Sequence, residues 1–340
     1  GQAPGDLFKK KSLEKMLVLF LFFLLVLLVG GAAPAPAPAP AARSPRVTVL
    51  AQNMSWLENL MLDPDSQSLF FSELKYGRIW KVSDTNYTRE IWVSNLSNVL
   101  GLARNPLKPG YFYGVGKQNN GTNILFQAST VTKETMKVIA RLPDSTMGNG
   151  LGCHHATGKL YTTSEANFRP GTGRVYEIDP DTGSVTTITG GATWGADGLW
   201  IDQRRHLLFV GQVSNSKMFV WNITGVGAVP LGSLPKGHGV GVLGFMDDFT
   251  LDASNMMVVA ASWRKNAIVT FPAYGSNQTN RSTVLVDNSL IKHPTSARYG
   301  EASDPLDPFP DTSLFITEGY ALDYLKPEDF HSSRLLRVDF

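Results

Sequence analysis

The sequence predicts an all-β protein, a six-bladed β-propeller closed by an N-terminal strand. Three observations predict it. A unit of short strand signals returns six times, at intervals of about 40 to 51 residues. Strand patterns dominate and helical periodicity is nearly absent. An acid or amide also recurs at the mouth of the first strand of the unit, as in ENLMLD (58–63), WGADGLWID (194–202) and FMDDFTLD (245–252).

The six units run over 60–82, 99–128, 150–179, 197–221, 247–271 and 294–339. Four short strands in such a period are what a propeller blade needs. One blade cannot cover its own two faces, so the units must stack around an axis. RVTVL (46–50) precedes the first unit. It is placed to pair into the sixth, closing the ring and hiding an edge. The propeller then takes residues 46–340.

Ahead of it, KKKSLEK (9–15) precedes fourteen apolar residues (16–29) and GGAA. A basic flank, an apolar run and small residues read as a secretory signal. Counting GGAA brings the run near the about 20 residues of a membrane span, so residues 1–33 are a signal peptide or a signal anchor. Pro and Ala alternate over 34–42, which makes residues 34–45 a stiff linker that cannot pack. Seven N-x-S/T sequons follow, at Asn53, Asn86, Asn95, Asn120, Asn222, Asn277 and Asn280. Chance predicts roughly three, so signal and sequons together predict a glycoprotein of the secretory pathway, secreted or lumenal, or anchored by a single span.

Composition excludes other classes. Hydrophobic residues make up 43% and charged ones 18%, which suits a globular chain. The net charge of +2 arises at the N-terminus: beyond residue 43 there are 26 basic residues against 27 acidic. That balance offers no basic surface, and nucleic acid is set aside. Cys153 is the only cysteine, which rules out a disulfide and a thiolate metal cluster. It reads as a small buried hydrophobe. The expected partner is a small-molecule substrate, the expected state a monomer.

The repeated acids have a mechanical reading. The innermost strand of each blade starts near the central channel, so residues far apart in sequence meet there. Acids and amides gathered in that place are oxygen donors for a hard cation such as calcium, or another divalent ion. Glu58, Asn149, Asp197 and Asp247 are the candidates, with Asn98 and Asp248 in reserve. Without a cation between them the carboxylates would repel one another.

ENLMLD, GNGLG (148–152), WGADGLWID and MDDFTLD resemble the strand-start motifs of the superfamily of senescence marker protein, gluconolactonase and luciferin-regenerating enzyme. Paraoxonases and the squid phosphotriesterase are similar in outline, and PTSARYG with LFITEG (294–319) resembles the family's final blade. The resemblance covers about residues 46–340. It implies one calcium in the channel, held by a Glu from blade one, an Asn from each of two middle blades and an Asp further on. These map onto Glu58, Asn149, Asp197 and Asp247. Two departures stand out: residue 197 is Asp where the family commonly has Asn, and Asn149 lies in GNGLG where the family has Asn-Asp-Gly.

Other polar residues have plainer readings. Asp63, Asp202 and Asp252, at the far ends of the same strands, read as turn acids. DPDTGS (179–184) opens like a calcium loop but lacks the distal Glu, and reads as a hairpin turn. His154 and His155 cannot both face inward from a strand and read as packing or surface residues. His238 lies in the Gly-rich PKGHGVGVLG (235–244), without a phosphate-loop pattern. No G-x-S-x-G marks a serine hydrolase. Arg298 is placed to enter the channel and meet an anionic substrate.

Two function classes follow. One is a calcium-dependent hydrolase of lactones or related esters, in which the cation polarises the carbonyl and activates water. Asp247 is its candidate base or nucleophile, with Asp248 second. The other is a metal-free propeller, a binding module or a strictosidine-synthase-like protein.

Overall fold

The computed structural model describes residues 45–83, 86–143, 148–165, 171–188, 195–212, 217–225, 227–233, 246–252, 257–262, 265–273, 283–287, 289–300, 309–319 and 333–340. The signal or anchor, most of the linker, His238 with its Gly-rich loop, and the sequons at Asn277 and Asn280 lie outside these residues.

The described residues form 24 strands in six four-stranded antiparallel sheets. Blade one is β2 (Leu57–Asp63), β3 (Ser68–Glu73), β4 (Arg78–Val82) and β5 (Arg89–Val93). Blade two is β6 (Asn98–Arg104), β7 (Tyr111–Lys117), β8 (Asn123–Ser129) and β9 (Met136–Arg141). Blade three is β10 (Gly148–Cys153), β11 (Leu160–Ser164), β12 (Arg174–Ile178) and β13 (Val185–Ile188). Blade four is β14 (Ala196–Asp202), β15 (Leu207–Gln212), β16 (Lys217–Asn222) and β17 (Val229–Ser233). Blade five is β18 (Met246–Asp252), β19 (Met257–Ser262), β20 (Ala267–Pro272) and β21 (Thr283–Val286). Blade six takes β22 (Pro294–Tyr299), β23 (Ser313–Glu318) and β24 (Ser333–Asp339), and its outer strand is β1 (Arg46–Met54) from the start of the propeller. Arg46 pairs with Asp339 and Val47 with Val338. The expected closure is present, and β1 runs four residues further than RVTVL.

The ring is held by apolar side chains between blades. Strand alternation gives each sheet two faces, and each face packs on the next blade. Six hydrophobic clusters result, one per junction. Phe70 and Trp92 of blade one meet Phe112 and Phe126 of blade two. Leu57 and Phe71 of blade one meet Phe315 and Leu335 of blade six. The inner strands touch in order, β2 on β6, then β10, β14, β18 and β22, and β22 returns to β2.

Every inner strand has a register shift near its start. Pairing skips between Leu57 and Leu60, Val99 and Leu102, Gly148 and Leu151, Ala196 and Leu199, Met246 and Phe249, and Pro294 and Ser296. Each is a β-bulge, which frees a residue from the ladder and re-aims its side chain. The first freed residues are Glu58, Leu100, Asn149, Asp197, Asp247 and Thr295. Five of the six blades therefore put a polar side chain at this position, and all four predicted ligands are among them.

Candidate functional site

The bulges also explain the glycine that follows the acid. A Cβ on Gly150 would lie 2.7 Å from the Asp197 carbonyl oxygen, and one on Gly198 would lie 2.6 Å from the Asp248 Cα. These glycines let the bulge of blade three press against that of blade four, and the bulge of blade four against that of blade five. Asp-Gly here is a packing contact between blades as much as a turn signal. Bulged backbone groups have no ladder partners and need others. Hydroxyls on the second strands supply them: Asn59 N donates to Ser72 Oγ (3.0 Å), and Gly150 N donates to Thr163 Oγ1 (2.8 Å). Thr163 Oγ1 in turn donates to the Asp197 carbonyl, and Thr317 Oγ1 to the Glu58 carbonyl.

Glu58, Asn149 and Asp197 are buried, at 5%, 3% and 3% exposure. Asp247 is only half-buried. The carboxyls act on one another. Burial holds Glu58 well above the usual carboxylate range, and Asp197 and Glu165 push it further. Asp197 is raised by burial, then by Asp247, Glu165 and Asp248. Asp247 is raised by burial, then by Glu58, Asp248 and Glu165. Acids from blades one, three, four and five thus share one electrostatic environment, which is what like charges crowded in a channel produce.

Glu165 is the member that sequence reading missed. It follows β11, is 4% exposed, and accepts a hydrogen bond from Asn149 Nδ2. Burial pushes its carboxyl up to about 7, with Asn149 opposing the shift. The only signal for it would have been the second strands compared in register, where blade three alone places an acid one residue beyond the partner of the bulge.

Asp248 has a different environment. Its Oδ2 accepts from Ser296 Oγ (2.8 Å) and from Arg298 Nη2. Burial raises this carboxyl, and Arg298 counters that. Arg298 also donates to the Phe249 carbonyl and lies 5.0 Å from the Trp200 ring. It is buried, and its charge is directed at Asp248. It also lines a cavity of about 230 Å3, together with Met61, Arg104, His155, Trp200 and Tyr299. This cavity lies at the far end of the inner strands, away from the bulges. Asn98 precedes the blade-two bulge, whose freed position is taken by Leu100.

The remaining polar residues sit elsewhere. His154 is buried, with Nδ1 at 2.9 Å from Thr157 Oγ1 and Nε2 at 2.8 Å from His206 Nδ1. His155 is exposed in the following turn. Asp63 accepts from Ser66 Oγ, and Asp202 from the backbone of Arg204 and Arg205, so both hold turns. Asp179 Oδ1 accepts from Asp181 N and Thr182 N in the β12–β13 hairpin. Cys153 is buried and its thiol is pushed up to about 12, far from a nucleophile's range.

Does the site suit a cation? Among the described residues no three His, Cys, Asp or Glu side chains by themselves form a group that would hold a metal. The donor chemistry nevertheless fits one. Asn149 Oδ1, Glu165 Oε2, Asp197 Oδ1 and Asp248 Oδ1 are buried without a hydrogen-bond partner. Native proteins rarely leave such oxygens unsatisfied. All are hard oxygen donors, and one belongs to an amide outside the acidic set.

The sequence matches no protein-family model and no curated protein. Solved structures do resemble the chain. Luciferin-regenerating enzyme superposes with a TM-score of 0.67 at 13% identity, over 87% of this chain and 96% of that one. A gluconolactonase from Xanthomonas campestris gives 0.62 at 13% identity, over 87% and 89%. Regucalcin from Agrobacterium tumefaciens, a calcium-binding protein, gives 0.63 at 15% identity, over 86% and 94%. The resemblance read from the strand-start motifs holds at the level of fold.

Proposed function

We propose that the protein is a calcium-dependent hydrolase acting on a lactone or related ester in the propeller channel. One observation carries the reading: buried acids from several blades raise one another's pKa while oxygens among them lack partners. The likeness in fold to gluconolactonase and regucalcin supports it. Glu58, Asn149, Asp197 and Asp247 would hold the cation, calcium or another divalent ion. Bound there, it supplies the charge that polarises a substrate carbonyl and lowers the pKa of water. Asp247 keeps access to solvent and is the group to accept the proton. Asp248 is braced by Arg298 and Ser296, so it contributes field and position to its neighbour. Purified protein given simple aliphatic lactones should hydrolyse them with calcium and stop on chelation. Hydrolysis unaffected by chelator, or none under either condition, sinks the proposal.

A metal-free binding propeller is the second reading, favoured by the absence of a ready-made acidic metal group among the described residues. The chain is further proposed to be a secretory-pathway monomer, secreted, lumenal or anchored through residues 1–33. Asn53, Asn86, Asn95 and Asn120 are exposed and able to carry glycans. Endoglycosidase treatment of the protein from its native cells should increase its gel mobility, and unchanged mobility would remove the glycoprotein assignment.

A further inference from the structure

Asn149 presents an amide whose two ends are chemically opposite: the NH2 only donates and Oδ1 only accepts. Which end faces a cation decides whether the residue is a ligand or an obstacle. Glu165 fixes that choice. A carboxylate can only accept, and Glu165 Oε1 takes the bond from Asn149 Nδ2. With the NH2 drawn to Glu165, a flipped amide would set Oδ1 against the Glu165 oxygen, which is repulsive. Oδ1 is left buried and without a partner. Glu165 itself is 4% exposed, so water does not compete for the bond.

We propose that Glu165 is the positioning residue of the cation site, holding the Asn149 amide with its oxygen turned to the ion. The inference rests on the calcium reading above and deepens it. Glu165 acts through Asn149, as partners of metal ligands commonly act, and removal of such a partner costs about 10- to 100-fold in metal affinity. A buried acid beside three other acids is not retained for the stability of the empty fold, because it adds repulsion there.

The test uses the full chain with calcium as the probe. Glu165→Gln and Glu165→Ala remove the same charge, but only Gln can still accept from Asn149 Nδ2. Calcium affinity is measured by calorimetry, and melting temperature in chelator and in calcium. Glu165→Ala should bind calcium at least about tenfold more weakly than Glu165→Gln. In chelator Glu165→Gln should melt no lower than wild type. Equal affinities for the two variants overturn the proposal. So does a melting temperature in chelator that falls for both, which marks a merely structural residue. If wild-type protein binds no calcium, the functional reading itself has failed, a result distinct from either of these.

Discussion

Alanine at position 247 is expected to abolish calcium-dependent hydrolysis and the stabilisation that calcium confers, while the metal-free fold stays at least as stable as wild type. The two halves have one cause. Asp247 is raised by burial, by Glu58, and by Asp248 and Glu165. Without a cation its charge is a liability, and removing it relieves repulsion. With a cation the same charge is a ligand and the proposed base. An ion that binds only the folded state contributes RT ln(1 + [L]/Kd), about 2.7 kcal/mol at a hundredfold excess over Kd. For a domain of this size that is a shift on the order of 5 °C in melting temperature. Thermal unfolding with calcium and with chelator reads both halves. A variant that still responds to calcium as wild type does removes Asp247 from the site. A variant that melts lower in chelator shows a structural role instead. The pH for these measurements matters. Glu165 titrates at about 7 when folded, against 4.5 for the ordinary group. Between those values the folded state holds a proton that the unfolded chain has released. Stability in chelator therefore falls as pH rises through that window, with a Glu165 share on the order of 3 kcal/mol, and goes on falling above it as Glu58, Asp197 and Asp247, whose carboxyls are raised as well, lose their protons.

Gly101→Ala should be the most damaging small substitution in the inner ring. A Cβ there would lie 2.2 Å from the Asn149 carbonyl oxygen, and 2.8 Å from both the Leu151 nitrogen and Cβ. Two of these atoms are backbone, so no side chain can swing aside. Blade two must back away from blade three, and the movement falls on a proposed ligand. We expect a loss of about 3 kcal/mol or more, at the upper end for overpacking, together with weaker calcium binding. Gly225→Ala is the control: nothing lies within 4 Å of its added Cβ, and the change should stay within about 0.5 kcal/mol. Urea unfolding midpoints compare the two. A Gly101 variant as stable as the control would mean that the inner strands are less tightly apposed than the structure has them.

The fold was legible because its signals are local. Alternation, turn residues and a period near fifty survive in any one blade, and RVTVL announced itself as a strand without a sheet. The ring position was legible too, since an acid or amide stands at the bulges of blades one, three, four and five. What the glycine is for was not. Gly150 and Gly198 answer to the backbone of the next blade. Glu165, the Arg298–Asp248 pair and the hydroxyls of Ser72, Thr163 and Thr317 were hidden for the same reason. Each acts across a strand register or a blade junction, and such contacts exist only once the sheets are paired and the ring is closed. Blade two carries no acid at its bulge, and Leu100 there gave no sign in sequence that it occupies the same place as Glu58.

The seam in blade six has a consequence for how the chain reaches this state. Of the propeller strands, β1 leaves the ribosome first and its partner β24 last, so Arg46 finds Asp339 only when all the other strands have been made. Blades one to five can each form from hairpins made in order as synthesis proceeds. The sixth cannot, because one of its strands waits through the making of all the others. Joining ends so distant in sequence is slow by nature. Until it happens β1 is an unpaired edge, open to a chaperone or to the β24 of another copy. The last step of folding is therefore also the step at which two nascent chains could exchange strands.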